Sequence, residues 1–286
     1  IGMGKLGGGE MNYSSDLDLI FIYSGGGETK GPKVITSQEY FARVAQKVIS
    51  FLTLQTREGY LYKVDTRLRP SGSSGTLVSS LDAFMAYHRE SAWLWERQAL
   101  IKARSVAGDA EFGEQIAGDI ASVVYNPGID DEGRKEMIHL RERMEKELAK
   151  EGPERYNIKS GRGGIVDIEF TTQFLQLKHG TELVGLRNPK TLEALKAIFD
   201  AGLIEPDDYS ALKDAYLFLM KTENRLRILH NISTDQMDLD AGRLIKLARR
   251  LGYEGKGADG PGDIFLRDYR SHTEKVREIY RRLLWN

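Results

Sequence analysis

Over roughly the first hundred positions the spacing of apolar residues changes repeatedly, and beyond about Asp109 it settles to steps of three and four. Asp16–Tyr23 (DLDLIFIY) is a short apolar run with acids at alternate positions and predicts a buried strand. A glycine-rich stretch, Ser24–Lys33, predicts a loop. Thr36 and Glu39 have capping-box spacing, and Phe41, Val44, Ala45, Val48 and Leu52 continue as one helical face, so a helix is expected from there to Gly59. Tyr60–Leu68 alternates as a strand, with Tyr60, Tyr62 and Val64 on one face and Leu61, Lys63, Asp65 and Arg67 on the other. Pro70 and a Ser/Gly turn, Ser71–Gly75, stop it. Ser79 and Asp82 then cap a helix leading into SAWLWERQAL, whose Trp93 and Trp95 read as core aromatics rather than base-stacking ones. The later periodicity predicts helices near 109–124, 131–151, 165–180, 190–202, 206–231, 240–252 and 263–285, punctuated by Gly and Pro. No fixed-period repeat runs through them, so a bundle is expected rather than a solenoid. The fold class is therefore α+β: a small α/β domain with a mixed sheet over residues 1–108, followed by an α-helical bundle domain over 109–286.

Composition narrows the function classes. The chain has 286 residues, 41% hydrophobic and 29% charged, which is enough apolar mass for a sizeable core. Lys plus Arg (41) nearly balances Asp plus Glu (42), so no global field draws it to nucleic acid or to an anionic membrane. The absence of cysteine excludes disulfide scaffolds, Cys-zinc sites and thiol catalysis. No transmembrane-length apolar run or signal peptide is visible, and a cytoplasmic location is expected. A start at Ile1 that enters structure at once reads as an N-terminally truncated fragment of a longer protein.

Gly2, Gly4 and Gly7 spell the dinucleotide fingerprint G-x-G-x-x-G, but that motif needs a helix directly after it. Gly8 through Ser15 predict none, so a Rossmann site is rejected. A second pattern uses more of the residues. A Gly7-Gly8 turn is followed by Ser15-Asp16-Leu17-Asp18-Leu19. Alternate residues of a strand share a face, so Asp16 and Asp18 project together. Two such carboxylates repel unless a cation neutralises them, and hard divalent ions take oxygen ligands. Asp65, on a second strand between Lys63 and Arg67, supplies a third acid. Three acids on neighbouring strands suit a two-metal Mg²⁺ site for nucleotidyl transfer, with glycines admitting the phosphates to the backbone. The plain alternative is solvated or ion-paired acids at strand starts. Lys5, Arg67 and Arg69 are phosphate-binding candidates by chemistry, with ion pairs to nearby acids as the alternative.

With these residues in view, GKLGGGEMNYSSDLDLIFIY (Gly4–Tyr23), YKVDTRLRPSGSSGTLVSS (Tyr62–Ser80), WLWERQALIKAR (Trp93–Arg104) and GGIVDIEF (Gly163–Phe170) resemble the bacterial glutamine synthetase adenylyltransferases. These enzymes belong to the DNA polymerase β-like nucleotidyltransferase superfamily and carry two homologous catalytic halves. One attaches AMP from ATP to a tyrosine of glutamine synthetase; the other removes it by phosphorolysis. RLRPSG and AWLWERQAL look more like the adenylylating C-terminal half. The resemblance implies a nucleotidyltransferase catalytic domain over 1–108, with Asp16, Asp18 and Asp65 as catalytic metal ligands and Asp65 as candidate general base. It also implies Gly7, Gly8 and Ser15 at the nucleotide, ATP as substrate, and glutamine synthetase and the PII signal protein as partners. The deadenylylating half and a catalytically silent regulatory module are the competing readings.

Gly161-Arg162-Gly163-Gly164 precedes a helix, so it could receive an anion or simply allow close packing. Gly163, Gly164, Asp167 and Glu169 are candidate contacts from the second domain to the acid triad, and an interdomain ion pair or ordinary helix-dipole placement would equally explain the two acids. His88, His139, His179, His230 and His272 have no ligand spacing. The basic amphipathic C-terminal segment predicts a bundle helix.

Overall fold

The computed structural model describes residues 1–230, 234–255 and 259–285. Asn231, the last residue of one expected helix, lies outside them. The chain forms two compact units, Ile1–Gly128 with Gly180–Lys190, and Ile129–His179 with Thr191–Asn286.

In the first unit, a one-turn helix α1 (Gly4–Gly7) precedes β1 (Leu17–Asp18) and β2 (Phe21–Tyr23). The single expected strand is thus two short pieces of one extended run. Its backbone is satisfied on both sides. Leu17 and Leu19 N–H donate to Lys63 and Asp65 carbonyls, while Met3 N–H donates to the Asp18 carbonyl and Ile1 and Ile20 exchange hydrogen bonds. The helix α2 (Ser37–Thr53) is capped by Thr36, whose hydroxyl accepts from Glu39 N–H, as the capping spacing predicts. It stops at Thr53 rather than at Gly59. Of its expected buried face only Ala45 is buried, whereas Phe41, Val44 and Val48 are exposed. The strand over Tyr60–Leu68 contracts to β3 (Val64–Asp65), with Tyr60, Leu61 and Tyr62 all exposed. β4 (Val78–Ser80) leads into α3 (Leu81–Glu90), whose cap is Ser80, not Ser79, because it is the Ser80 hydroxyl that accepts the Ala83 N–H. β1 pairs parallel with β3 and β2 parallel with β4, while Gly2 bridges Leu19 and Arg104 antiparallel. The unit therefore carries two small parallel strand pairs with isolated antiparallel bridges at Gly2.

α4 (Leu94–Ala99) begins at Trp93, and Glu96 accepts both the Trp93 N–H and the Tyr87 hydroxyl. The two tryptophans are not core: Trp93 is 67% exposed and Trp95 is 40% exposed. The apolar face of this turn is carried instead by buried Leu100 and Ile101. α5 (Ala110–Tyr125), capped by Asp109, packs on α3 and α4 within the first unit.

The second unit is helical: α6 (Asp131–Met144) followed by a π-turn, then α7 (Ile165–His179), α8 (Thr191–Asp200), α9 (Pro206–His230), α10 (Ala241–Leu251) and α11 (Pro261–Trp285). A small antiparallel pair, β5 (Arg155–Asn157) and β6 (Gln236–Asp238), interrupts them. α11 packs on α6, α7, α9 and α10, and α7 is buried over Ile165–Ile168 and Phe170–Leu177. Among the described residues, no helix is long and apolar enough to cross a membrane.

Candidate active site

Strand register assembles the carboxylates. Asp18 stands opposite Asp65 in the parallel β1–β3 pair, and neighbours in such a pair point to the same side of the sheet. Asp16, two positions earlier and just outside β1, is exposed. The three acids do not form a ready-made cage: among the described residues no three His, Cys, Asp or Glu side chains converge as a metal site. Asp65 is turned to Arg67 instead. Its carboxylate accepts the Arg67 backbone N–H at 2.8 Å, Nε at 2.9 Å and Nη2 at 2.5 Å. That guanidinium holds the Asp65 carboxyl below its ordinary pKa of 3.8. Arg67 itself remains 76% exposed, so it is tethered at one end only.

The glycine segment works differently from a phosphate cradle of free amides. Gly7 and Gly8 N–H groups donate to Met3 and Gly4 carbonyls, closing the α1 turn. What Gly7 provides is close approach: a Cβ there would stand 1.8 Å from the Lys102 carbonyl oxygen. Gly7→Ala is therefore expected to destabilise the chain by about 1–3 kcal/mol or more, because backbone cannot yield as a side chain can. Urea unfolding of the two proteins checks this, and an unchanged midpoint would refute the packing role. Arg104 fastens the same turn, donating from Nε to Gly7 O and from Nη2 to Leu6 O, each at 2.8 Å. A buried ion pair, Lys102 to Glu10 at 2.6 Å, holds the segment's far end.

Gly4 is the residue that the motif reading passed over. Its φ is +51°, and a Cβ on it would lie 2.6 Å from Asp18 Oδ2. Only glycine admits the carboxylate there. The signal was in the G-x-G spacing, whose second glycine serves an aspartate. Ser15 is buried and its hydroxyl accepts the Asn12 N–H, bracing the turn before Asp16. Lys5 lies in α1. Arg69 is a structural residue: its guanidinium donates to carbonyls of Thr66, Ser73 and Gly75, pinning the Ser71–Gly75 turn, so it is not available to phosphate.

The second-unit candidates separate as well. Asp167 is fully buried and accepts from Gly163 N–H at 2.7 Å, from Arg141 Nε and from Arg277 Nη1 at 3.2 Å. Its carboxylate is committed inside that unit. Gly163, at φ +70°, presses on the Thr273 carbonyl of α11, where a Cβ would fall 1.8 Å away. Gly164 is less tightly placed, a Cβ there falling 2.7 Å from the Ile158 and 2.8 Å from the Lys159 carbonyl oxygen. Glu169 lies in α7, half-buried. His88 packs at a tilt against Phe84 with both ring nitrogens sheltered, and burial lowers its pKa to about 4.

Short strands in small sheets with Asp18 paired to Asp65, followed in the chain by a helical unit, are consistent with an α+β nucleotidyltransferase domain. Residues 1–118 match the family model for glutamate-ammonia ligase adenylyltransferase, and residues 135–284 match that for GlnD PII-uridylyltransferase. The bifunctional glutamine synthetase adenylyltransferase/adenylyl-removing enzyme of Stenotrophomonas maltophilia is 42% identical over 88% of this chain and 27% of that protein. The enzymes of the same name from Hahella chejuensis and Vibrio parahaemolyticus are each 38% identical, over 90% and 99% of this chain. The chain belongs to the glutamine synthetase adenylyltransferase family. It spans under a third of the length of these relatives, 27% to 30%.

Proposed function

We propose that this chain catalyses, in the cytoplasm, transfer of AMP from Mg-ATP to a tyrosine hydroxyl of glutamine synthetase, with release of pyrophosphate. The observation that carries the reading is the register of Asp18 against Asp65, with Asp16 two positions before Asp18 in the chain. The donor set fits Mg²⁺, since it is all carboxylate oxygen at an exposed sheet end. Asp16, Asp18 and Asp65 would hold the metal, which when bound supplies charge neutralisation for the triphosphate and acidifies the attacking hydroxyl. Asp65 would take the phenolic proton as the tyrosine oxygen forms its bond to the α-phosphorus and the bond to the pyrophosphate oxygen breaks. Arg67, released from Asp65, has the exposed fork to meet phosphate.

The adenylylating direction follows the RLRPSG and AWLWERQAL wording, and a PII-type signal protein is proposed as a regulatory partner. Incubating the chain with glutamine synthetase and α-labelled ATP should label the synthetase. A parallel reaction of adenylylated synthetase with phosphate should release no ADP. ADP release there, without labelling in the first tube, would make this the adenylyl-removing half. Silence in both would make it a regulatory module.

A further inference from the structure

The helix α2 carries more apolar surface than its own unit uses. It packs on β3 and β4, and the residues it turns inward are Ala42, Ala45, Ile49 and Leu52, with Ala45 buried and the others half-buried. Phe41, Val44, Val48 and Phe51 recur at steps of three, four and three, which sets them about a quarter of a revolution away from that edge. All four are exposed, Phe51 at 72%. A stripe of this spacing is the seam by which one helix meets another helix. Its two ends are apolar as well. Tyr23 stacks on Phe41 at 5.1 Å and Tyr40 meets the same ring edge-on, so that aromatic is held in place. At the other end the Tyr62 N–H donates to the Leu52 carbonyl, which brings the exposed Leu61 and Tyr62 beside the helix terminus.

Two features of the stripe point to what covers it. The order Phe-Val-Val-Phe is the same read in either direction, so the surface is complementary to itself across a two-fold axis. With two α2 helices antiparallel, Phe41 of one copy meets Phe51 of the other, and Val44 meets Val48. The second feature is area. Aromatic side chains offer about 150–250 Å² each and aliphatic ones somewhat less, so the exposed parts of Tyr40, Phe41, Val44, Val48, Phe51 and Leu61 come to about 600 Å². That stands at the top of the range of about 300–600 Å² for the largest patch on a monomer. It also matches the apolar share of the roughly 800 Å² that each partner contributes to a specific interface.

We propose that two copies of this chain associate through antiparallel α2 helices, with Phe41, Val44, Val48 and Phe51 as the buried seam. The flanking charges give the interface a second signature. Lys47 borders the stripe at the position nearest the two-fold axis, so the two Lys47 ammonium groups approach each other. Arg43 is turned to the far side of the helix and pairs with Glu39 at 2.5 Å.

Sedimentation velocity of the whole 286-residue chain tests this. The average mass should move from monomer toward dimer between about 1 and 100 μM. Association should strengthen as salt is raised, because salt screens the paired lysines and leaves the apolar contact intact. Phe51→Ser and Val48→Glu should each weaken it by about tenfold or more. Lys47→Gln should tighten it. Val184→Ser removes an apolar residue that is 63% exposed elsewhere on the same unit, and should change nothing. The substituted side chains are all exposed, so circular dichroism of the variants should match the parent. The chain has no cysteine, so Lys47→Cys supplies a lone thiol at the axis, and air oxidation should link two copies through it. A chain that stays monomeric at about 100 μM would overturn the assignment and leave the seam to a helix of a different protein. A dimer indifferent to both Phe51→Ser and Val48→Glu would overturn it equally, by placing the interface elsewhere.

Discussion

Asp16→Asn and Asp18→Asn are each expected to lower the proposed AMP transfer to glutamine synthetase by roughly 10³-fold or more, since each removes a full charge from the acids proposed to hold the metal and the triphosphate. Folding should survive. Asp16 is exposed, so its substitution should shift stability by no more than about 0.5 kcal/mol. Neutralising either acid also relieves repulsion within the cluster in the absence of metal. Thermal melts with and without Mg-ATP read the second half of the expectation: the nucleotide should stabilise the parent chain more than the variants, because only a ligand that binds the folded state raises the midpoint. Retained activity in Asp16→Asn, or simple unfolding of both variants, would remove the carboxylates from the site.

The pairing of Asp18 with Asp65 was legible because it rests on two short-range rules. One short alternating run offered Asp18 and a second offered Asp65; parallel pairing then set the two side by side. Helix starts were legible for the same reason, since Thr36, Asp109 and the Gly/Pro stops act within one turn. The burial of each helix was less so. In α2 the spacing of Phe41, Val44 and Val48 marks an apolar face correctly as a pattern, yet those residues are exposed while Ala45 packs. Periodicity says which residues share a face, not what that face meets. Trp93 and Trp95 fail on the same ground: aromatic content argues for burial on average, and the surroundings decide the instance.

Charged and glycine residues were the hardest to assign, because their partners are distant in sequence. Arg69 looked like a phosphate ligand until its guanidinium was seen to be filled by three carbonyls of its own turn. Arg67, two positions away, kept its fork accessible. Nothing local separates them. Gly7 read as a phosphate turn and the Gly161–Gly164 turn as either an anion site or a close-packing turn, and at Gly7 and Gly163 the missing side chain is explained by a carbonyl arriving from far along the chain, Lys102 in one case and Thr273 in the other. A glycine motif thus marks close approach before it marks a ligand.

Asp167→Ala should be among the most damaging single substitutions in the second unit, at about 3–5 kcal/mol. Arg141 is fully buried, and Arg277 nearly so. Their two charges are balanced by Asp167 and by Glu145, which lies 3.0 Å from Arg277 and 3.6 Å from Arg141. Removing Asp167 leaves one buried positive charge without compensation and also orphans the Gly163 amide, so the Gly161–Gly164 turn loses its tie to α7. Asp167→Asn keeps an acceptor for that amide while discarding the charge, and should fall between the parent and Asp167→Ala. The double variant Arg141→Met, Asp167→Leu should recover much of the loss, since an apolar pair carries no desolvation penalty, whereas a lone buried guanidinium does. Urea unfolding of the four proteins measures all three differences. If Asp167→Ala costs less than about 1 kcal/mol, the carboxylate is not what holds these helices together.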